Sequence, residues 1–333
     1  MLLSWMRNAF LLLVLGLLIS GVSGDSFATE ARAEAVHNIR IATLAPRQSP
    51  LGEEYQKLKI GLREATNGQV NLQMYYGGVA GDESSVVRKM RVGQLDGALI
   101  TSAGLGALVR SVLVLQAPGL IVTYPELELV RNELGPRFEE LFRKAGYELI
   151  AWGDAGRVRM FSKEKIRAPA DLRSARPWAW RDSPTMQAFL KAAGANGVLL
   201  GLPEVYSALQ TGMIDTVIAS SVAVMSFQWF TKLKTMAKQS SGIVVGAFII
   251  KKDKVDALPP EGKKYLETQV YNLDSKAVDD ETTEKLKERL KVINLIGSAS
   301  SWQAVQYTAR WSLAGRLYSK SLLEEVGQIV GRK

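Results

Sequence analysis

The chain has 333 residues, 47% of them hydrophobic and 23% charged, with a formal net charge of +9. That balance excludes a disordered or collagen-like polymer, and the length suits two domains. There is no cysteine, which excludes disulfides and a lipid anchor on an N-terminal cysteine. Stability must come from a packed core, which a chain of this size can supply.

The N-terminus has a separate character. Arg7 precedes an apolar run over residues 9–20, and small residues follow: Gly21, Ser23, Gly24, Ala28 and the Ala31-Arg32-Ala33 triplet. This is the grammar of a secretory signal peptide. A membrane-spanning helix needs about 20 apolar residues, more than the run supplies. Residues 1–33 are therefore expected to be removed, with cleavage after Ala33 and Gly24 as the alternative point. Their loss takes away Arg7, Arg32, Asp25 and Glu30, so the basic balance survives. Lysines and arginines are scattered among acids, a solvated surface rather than a nucleic-acid footprint.

Residues 38–43 read as a first strand. Ser49-Pro50 then caps a helix whose Leu51, Tyr55, Leu58, Leu62 and Ala65 share one face. Val70, Leu72, Met74 and Tyr76 alternate with polar residues, which predicts a strand. The Gly-rich loop 77–82, a helix over 84–92 and a strand over 95–101 follow. The alternation continues with helix 126–145 and strand 147–152. Further strands are expected at 157–162, 175–180, 198–200, 214–219 and 242–250, with helices at 183–193 and 203–212 between them. Pro259-Pro260 opens a long amphipathic helix with Tyr265, Leu266, Val270, Leu273 and Ala277 as its buried stripe. Residues 291–296 read as a short strand, and Ser300 with Gln303 as a capping box. This order implies mostly parallel sheet covered by helices on both sides. No linker divides the chain, so two domains would require several crossings, placed near 152–156, 241–245 and 284.

The catalytic inventory is poor. His37 is the one histidine, so a hydrolase triad or a histidine metal site has little to work with. No G-x-S-x-G elbow or phosphate-binding P-loop occurs. Glu53-Glu54 and Asp279-Asp280-Glu281 read as solvated helix faces. No cofactor, metal or catalytic residue is expected. A binding protein is the simplest reading, with an enzyme or a sensor on the same scaffold as the alternative.

Several ordered fragments carry a resemblance: I-A-T-L-A-P-R-Q-S-P-L-G over 41–52, Y-Y-G-G-V-A-G-D-E over 75–83, V-G-Q-L-D-G-A over 92–98, A-P-A-D-L-R over 168–173 and P-E-V-Y-S-A-L-Q-T-G-M-I-D over 203–215. Their order and spacing resemble the solute-binding subunit of tripartite ATP-independent periplasmic (TRAP) transporters. The resemblance implies a periplasmic-binding-protein-like α/β fold: two lobes, a ligand cleft between them, crossover strands and a long helix. Lobe I would comprise 37–153 plus 243–284, and lobe II 154–242 plus 285–333. It also implies a periplasmic protein that hands a small organic solute to membrane subunits and does no chemistry on it.

Carried over by position, the first-lobe contacts would be Leu44, Ala45, Asp82, Thr101 and Ser102. The second-lobe contacts would be Arg157, Trp178, Leu202, Ala219 and Ser220. One position departs from the family pattern: Trp178 stands where most members carry an Arg that clamps a carboxylate. A guanidinium grips an acid through two parallel hydrogen bonds; an indole offers one N–H and a large apolar face. With Trp152, Trp180 and Trp229 nearby in sequence, the expected solute is apolar or aromatic. Arg159 is expected at the surface. The F-Q-W-F run, with Gln228 and Trp229, resembles a subgroup that pairs with a periplasmic helical-repeat protein.

Overall fold

The computed structural model describes residues 36–269, 275–295 and 299–332. The expected signal segment lies outside these residues. The chain begins with β1 (His37–Thr43), α1 (Pro50–Ala65), β2 (Val70–Tyr75), α2 (Glu83–Arg91), β3 (Gly97–Thr101) and α3 (Ser102–Leu108). A 3₁₀ turn over Arg110–Gln116 leads to α4 (Tyr124–Lys144) and β4 (Tyr147–Trp152). Next come β5 (Arg157–Ser162), β6 (Trp178–Trp180), α5 (Pro184–Ala192), β7 (Val198–Leu200), α6 (Val205–Thr211), β8 (Thr216–Ser220) and α7 (Ser221–Ser226). The remainder is β9 (Thr235–Ala237), β10 (Gly242–Ile243), β11 (Gly246–Lys251), α8 (Lys252–Asp256), α9 (Pro260–Gln269), α10 (Ser275–Lys287), β12 (Lys291–Ile293), α11 (Ala299–Leu313) and α12 (Lys320–Ile329).

The strands form two five-stranded sheets and a small pair. The first sheet runs β2-β1-β3-β11-β4, and β11 is antiparallel to both of its neighbours. In the second, β5 is the centre: it pairs with β8, β9 and β10, and β12 extends β9. β6 and β7 form a separate parallel pair.

α1 begins at the cap expected for it, whereas α4 begins two residues before the expected Glu126, at a threonine cap. Ser49 Oγ accepts from the Gly52 N–H at the start of α1, and Thr123 with Glu126 forms a full capping box on α4. α1 and α9 cover one face of the first sheet, burying Leu58, Leu62 and Leu266 against Ile39, Ile41 and Phe248. α4 and α12 lie on the other, where Phe138, Phe142 and Val326 are almost fully enclosed.

The two sheets are joined by a two-stranded ribbon. The chain leaves β4 through residues 153–156 and returns through 242–246, and the two passes hydrogen-bond each other. Gly153 N–H donates to Gly246 O at 2.8 Å, Ala155 N–H to Val244 O at 2.8 Å, and Val244 N–H to Gly156 O at 2.9 Å. Close approach demands small residues here. A Cβ at Gly246 would lie 2.4 Å from the Gly153 carbonyl oxygen, and Gly156 holds φ +100°, a conformation that L side chains rarely adopt. The strand expected at 242–250 is thus two strands, one in each sheet.

Several expectations change. The strand expected over 175–180 is three residues long, because its partner β7 is equally short. The long helix is described as α9 and α10, with 270–274, including Val270 and Leu273, outside the described residues. α9 packs on α1 and β4, but α10 packs on α7 and buries Leu286 among second-sheet residues. A first lobe extending to residue 284 does not match that packing; the change of side falls between Gln269 and Ser275. Likewise α11 packs on α5 while α12 returns to α4, so the C-terminal segment is shared between the two sides. Ser300 falls inside α11 rather than capping it. Asp279 is fully buried rather than solvated, and Arg159 is buried rather than at the surface, at 8% exposure.

We expect Gly246→Ala to destabilise the fold by about 1–3 kcal/mol, because a backbone oxygen cannot yield as a side chain would. Urea unfolding of the variant beside the parent measures this. A surface substitution such as Lys264→Ala should leave the midpoint unchanged.

Candidate functional site

A cavity of about 460 Å³ lies where the strand ends of the two sheets face one another. This is the expected place for a ligand in an open α/β sheet, outside the carboxyl ends of parallel strands. From the first sheet, Thr43, Leu44, Ala45, Thr101 and Trp152 form its wall. From the second side come Trp178, Trp180, Leu202, Ala219, Ser220 and Trp229. Ten of the residues singled out in the sequence are therefore brought together, and Asp82, Ser102, Arg157 and Gln228 are not in the wall.

The indoles are the main feature of the wall. Trp178 is 2% exposed, and its Nε1–H donates to the Leu200 carbonyl at 3.1 Å, within the β6–β7 pair. That bond engages its one polar group and leaves a ring face for the cavity. Trp229 meets this ring edge-on, with centroids 5.4 Å apart, and Phe227 stacks on Trp229, also at 5.4 Å. Both are geometries that aromatic quadrupoles favour. Trp152 is held from behind by the Arg131 guanidinium, 4.8 Å from its ring centroid, while Arg131 pairs with Asp154 at 2.6 Å.

Trp180 has a different partner. Its Nε1–H donates to Asp82 Oδ2 at 2.9 Å, and the Leu202 backbone N–H donates to the same oxygen at 3.1 Å. Asp82 Oδ1 caps α2 by accepting from the Glu83 N–H at 3.0 Å. Nearby, the Ser84 N–H donates to Asp182 Oδ2 at 2.7 Å. Asp82 is thus a tie across the cleft rather than a wall residue. Burial raises its carboxyl above the usual range, and the Trp180 bond opposes that rise.

Ser102 and Arg157 are taken out of the wall by their partners, and Gln228 by its exposure. The Ser102 hydroxyl bonds Gln116, whose Nε2–H donates to Ile243 O at 2.6 Å. Arg157 pairs with Asp279 at 2.7 Å and with Asp280, so it does not stand free to bind an anion. Gln228 is exposed, holds φ +56° and starts the 3₁₀ turn that seats Trp229. Arg159 donates to the Lys238 carbonyl at 2.6 Å. Among the described residues, the cationic side chain in the cavity wall is Lys57, which is 73% exposed and paired with Glu54 at 2.6 Å.

Glu83, which the sequence reading passed over, is a wall residue with 1% exposure. Its carboxylate accepts from the Thr101 N–H at 2.8 Å, the Thr101 hydroxyl at 2.9 Å and the Gly104 N–H at 2.7 Å. These bonds favour the charged form, yet burial outweighs them and pushes the carboxyl from an ordinary 4.5 up to about 7. Ser226 was passed over too: it lines the cavity, and its buried hydroxyl has no partner among the described residues. Adjacency to Asp82 in the G-D-E loop could have flagged Glu83; nothing local marks Ser226. Among the described residues no cluster of His, Asp and Glu could hold a metal ion.

Two sheets joined by a ribbon, with a cavity between their strand ends, make this an α/β protein of the periplasmic-binding-protein class. Residues 41–296 match the family model for bacterial extracellular solute-binding proteins, family 7, known as DctP, and the chain belongs to that family, the solute-binding proteins of TRAP transporters. A solute-binding protein of Chromohalobacter salexigens is 24% identical over 204 residues, spanning 61% of this chain and 58% of that protein. DctP7 of Bordetella pertussis, a receptor solved with pyroglutamic acid, has the same fold: TM-score 0.79 at 18% identity, covering 89% of this chain and 99% of that one. A TRAP periplasmic solute-binding protein of Desulfovibrio salexigens, solved with orotic acid, gives 0.77 at 19% identity, covering 89% and 99%.

The Glu83 shift fixes a pH dependence. The folded value exceeds the unfolded one, so its stabilising contribution is complete below about pH 4.5 and is lost as the pH rises through about 7. Unfolding free energy should fall between pH 5 and pH 8, and Glu83→Gln should flatten that slope. Urea titrations at both pH values measure it.

Proposed function

We propose that this chain is an extracytoplasmic receptor that captures a small organic acid with a flat apolar or aromatic body and delivers it to TRAP membrane subunits. The observation that carries this reading is the wall of Trp178, Trp229 and Phe227, with no guanidinium lining the cavity among the described residues. Such a wall rewards ring area. Each large aromatic buries about 150–250 Å². An acid buried against it without a cation would be costly, so the acid group must find hydroxyl and backbone donors or reach toward water. The proteins solved with orotic acid and pyroglutamic acid support the same size class, since both ligands are ring compounds bearing one carboxyl.

In this reading the wall residues are Leu44, Ala45, Thr101, Trp152, Trp178, Trp180, Leu202, Ala219, Ser220 and Trp229, joined by Glu83 and Ser226. The two sides hinge about the 153–156 and 242–246 ribbon, and Asp82 ties them when closed. A solute favours closure only by binding the closed form more tightly. No chemistry is done on it. An apolar N-terminal run with small residues after it suits export to the periplasm. The F-Q-W-F resemblance adds a periplasmic helical-repeat protein as a second partner, one that would find Gln228 on the surface and Trp229 inside.

Isothermal titration calorimetry with orotate, pyroglutamate, phenylacetate and succinate tests the reading. We expect a ring acid to bind at least tenfold more tightly than succinate, and Trp178→Ala to weaken it at least tenfold. Tight succinate binding that survives Trp178→Ala would overturn the indole-walled site.

A further inference from the structure

The cavity does not end between the sheets. Its wall also includes Leu51, Tyr55, Leu58, Leu99, Phe248 and Tyr265. These lie on the α1/α9 side of the first sheet. Leu58 and Phe248 belong to the core beneath those helices, and Leu99 and Tyr265 pack against it. The next residue along β3, Ile100, points to the opposite face, into the core beneath α4. One continuous space therefore passes round the ends of β1, β3 and β11, from the indole chamber to the underside of α1.

This arm has a chemical gradient. Its inner part is hydrocarbon: Leu58, Leu99 and Phe248. The Tyr55 phenol beside it is a polar group in this lining, and burial raises its pKa. One side is closed by Tyr265, whose hydroxyl comes so near α1 that a Cβ on Gly61 would be 2.0 Å from it. At the outer end are the exposed Lys57 and the half-buried Glu54 that pairs with it on α1. A cavity of about 460 Å³ lies within the range of about 300–1,000 Å³ usual for organic ligand sites and exceeds what a single small ring needs.

From this continuity, and resting on the proposed indole-walled site, we propose that the solute is an elongated monocarboxylic acid. Its apolar end packs in the indole chamber, its chain follows the arm between α1 and α9, and its carboxylate emerges beside Lys57. The acid then stays near water, where it needs no buried guanidinium. The lack of a buried cation deep in the chamber among the described residues and the presence of Lys57 at the mouth become one arrangement.

The test is a homologous series on the full mature chain: phenylacetate, 4-phenylbutanoate, 6-phenylhexanoate and 8-phenyloctanoate, measured by calorimetry. Affinity should rise about three- to fourfold per added methylene until the arm is filled, the ratio expected for burying CH₂ groups. Leu51→Trp should narrow the arm and flatten the dependence of affinity on chain length; Tyr55→Trp is the second variant should the first fold poorly. Lys57→Gln should weaken 6-phenylhexanoate several-fold but not its primary amide. Affinity independent of chain length, with phenylacetate still dependent on Trp178, would overturn the arm and spare the indole site. Indifference of the acid to Lys57→Gln would overturn the placement of its carboxylate. If no acid of the series binds and Trp178→Ala changes nothing, the indole site itself fails.

Discussion

The ribbon formed by residues 153–156 and 242–246 is the constraint on which the rest of the molecule depends. Two antiparallel passes, hydrogen-bonded to each other, fix which strand ends face one another. They bring Trp152 and Gly246 of the first sheet opposite Ala219 and Ser220 of the second. A single connection would swivel freely; a bonded pair bends chiefly in one direction. The ribbon is also anchored at both ends by ion pairs: Asp154 is gripped by Arg131 of α4, and Arg157 by Asp279 and Asp280 of α10. Since Asp279 is fully buried, removing its partner would leave a charge in a poorly solvated place. The arginine that an anion-binding reading would assign to the cleft is engaged in holding the hinge.

Charge explains the character of the cavity. A wall with a buried guanidinium would attract any carboxylate and discriminate by geometry. Here the Trp178 N–H is bonded within its own strand pair, so the ring offers dispersion and area rather than polarity. Among the described residues, the carboxyl group deep in the wall is that of Glu83, whose burial already disfavours its own charge. An acid placed beside it would meet repulsion. Both features direct an anionic group outward and an apolar body inward.

Much of the architecture was legible because it is written in short-range patterns. The cap at Ser49, the helical spacing of Leu51, Tyr55, Leu58 and Leu62, and the alternation from Val70 onward each specify one element and one buried face. That Trp178 lies near Leu44 and Ala45 was legible through resemblance, which supplies order in three dimensions that spacing alone cannot; Trp180 and Trp229 were legible only as aromatics near Trp178 in sequence. What was not legible depends on distant partners. Arg157 and Asp279 are 122 positions apart, so nothing near either residue announces that one buries the other. Arg159 looks like a surface cation until the Lys238 carbonyl receives it. Asp82 looked like a contact for a solute, whereas its oxygens bond Trp180 and Leu202 across the cleft. The side on which α10 packs is decided by Leu286, whose spacing fits either core.

Trp180 has an optical consequence. Its indole N–H is bonded to a carboxylate, and its ring lies 5.9 Å from Trp178, which in turn touches Trp229. Indoles this near one another exchange excitation, and their emission responds to the charge beside the ring. Separation of the two halves would take Asp82 away from Trp180 and admit water to its edge. The molecule thus carries an intrinsic fluorophore at its own seam, sensitive to opening without any label.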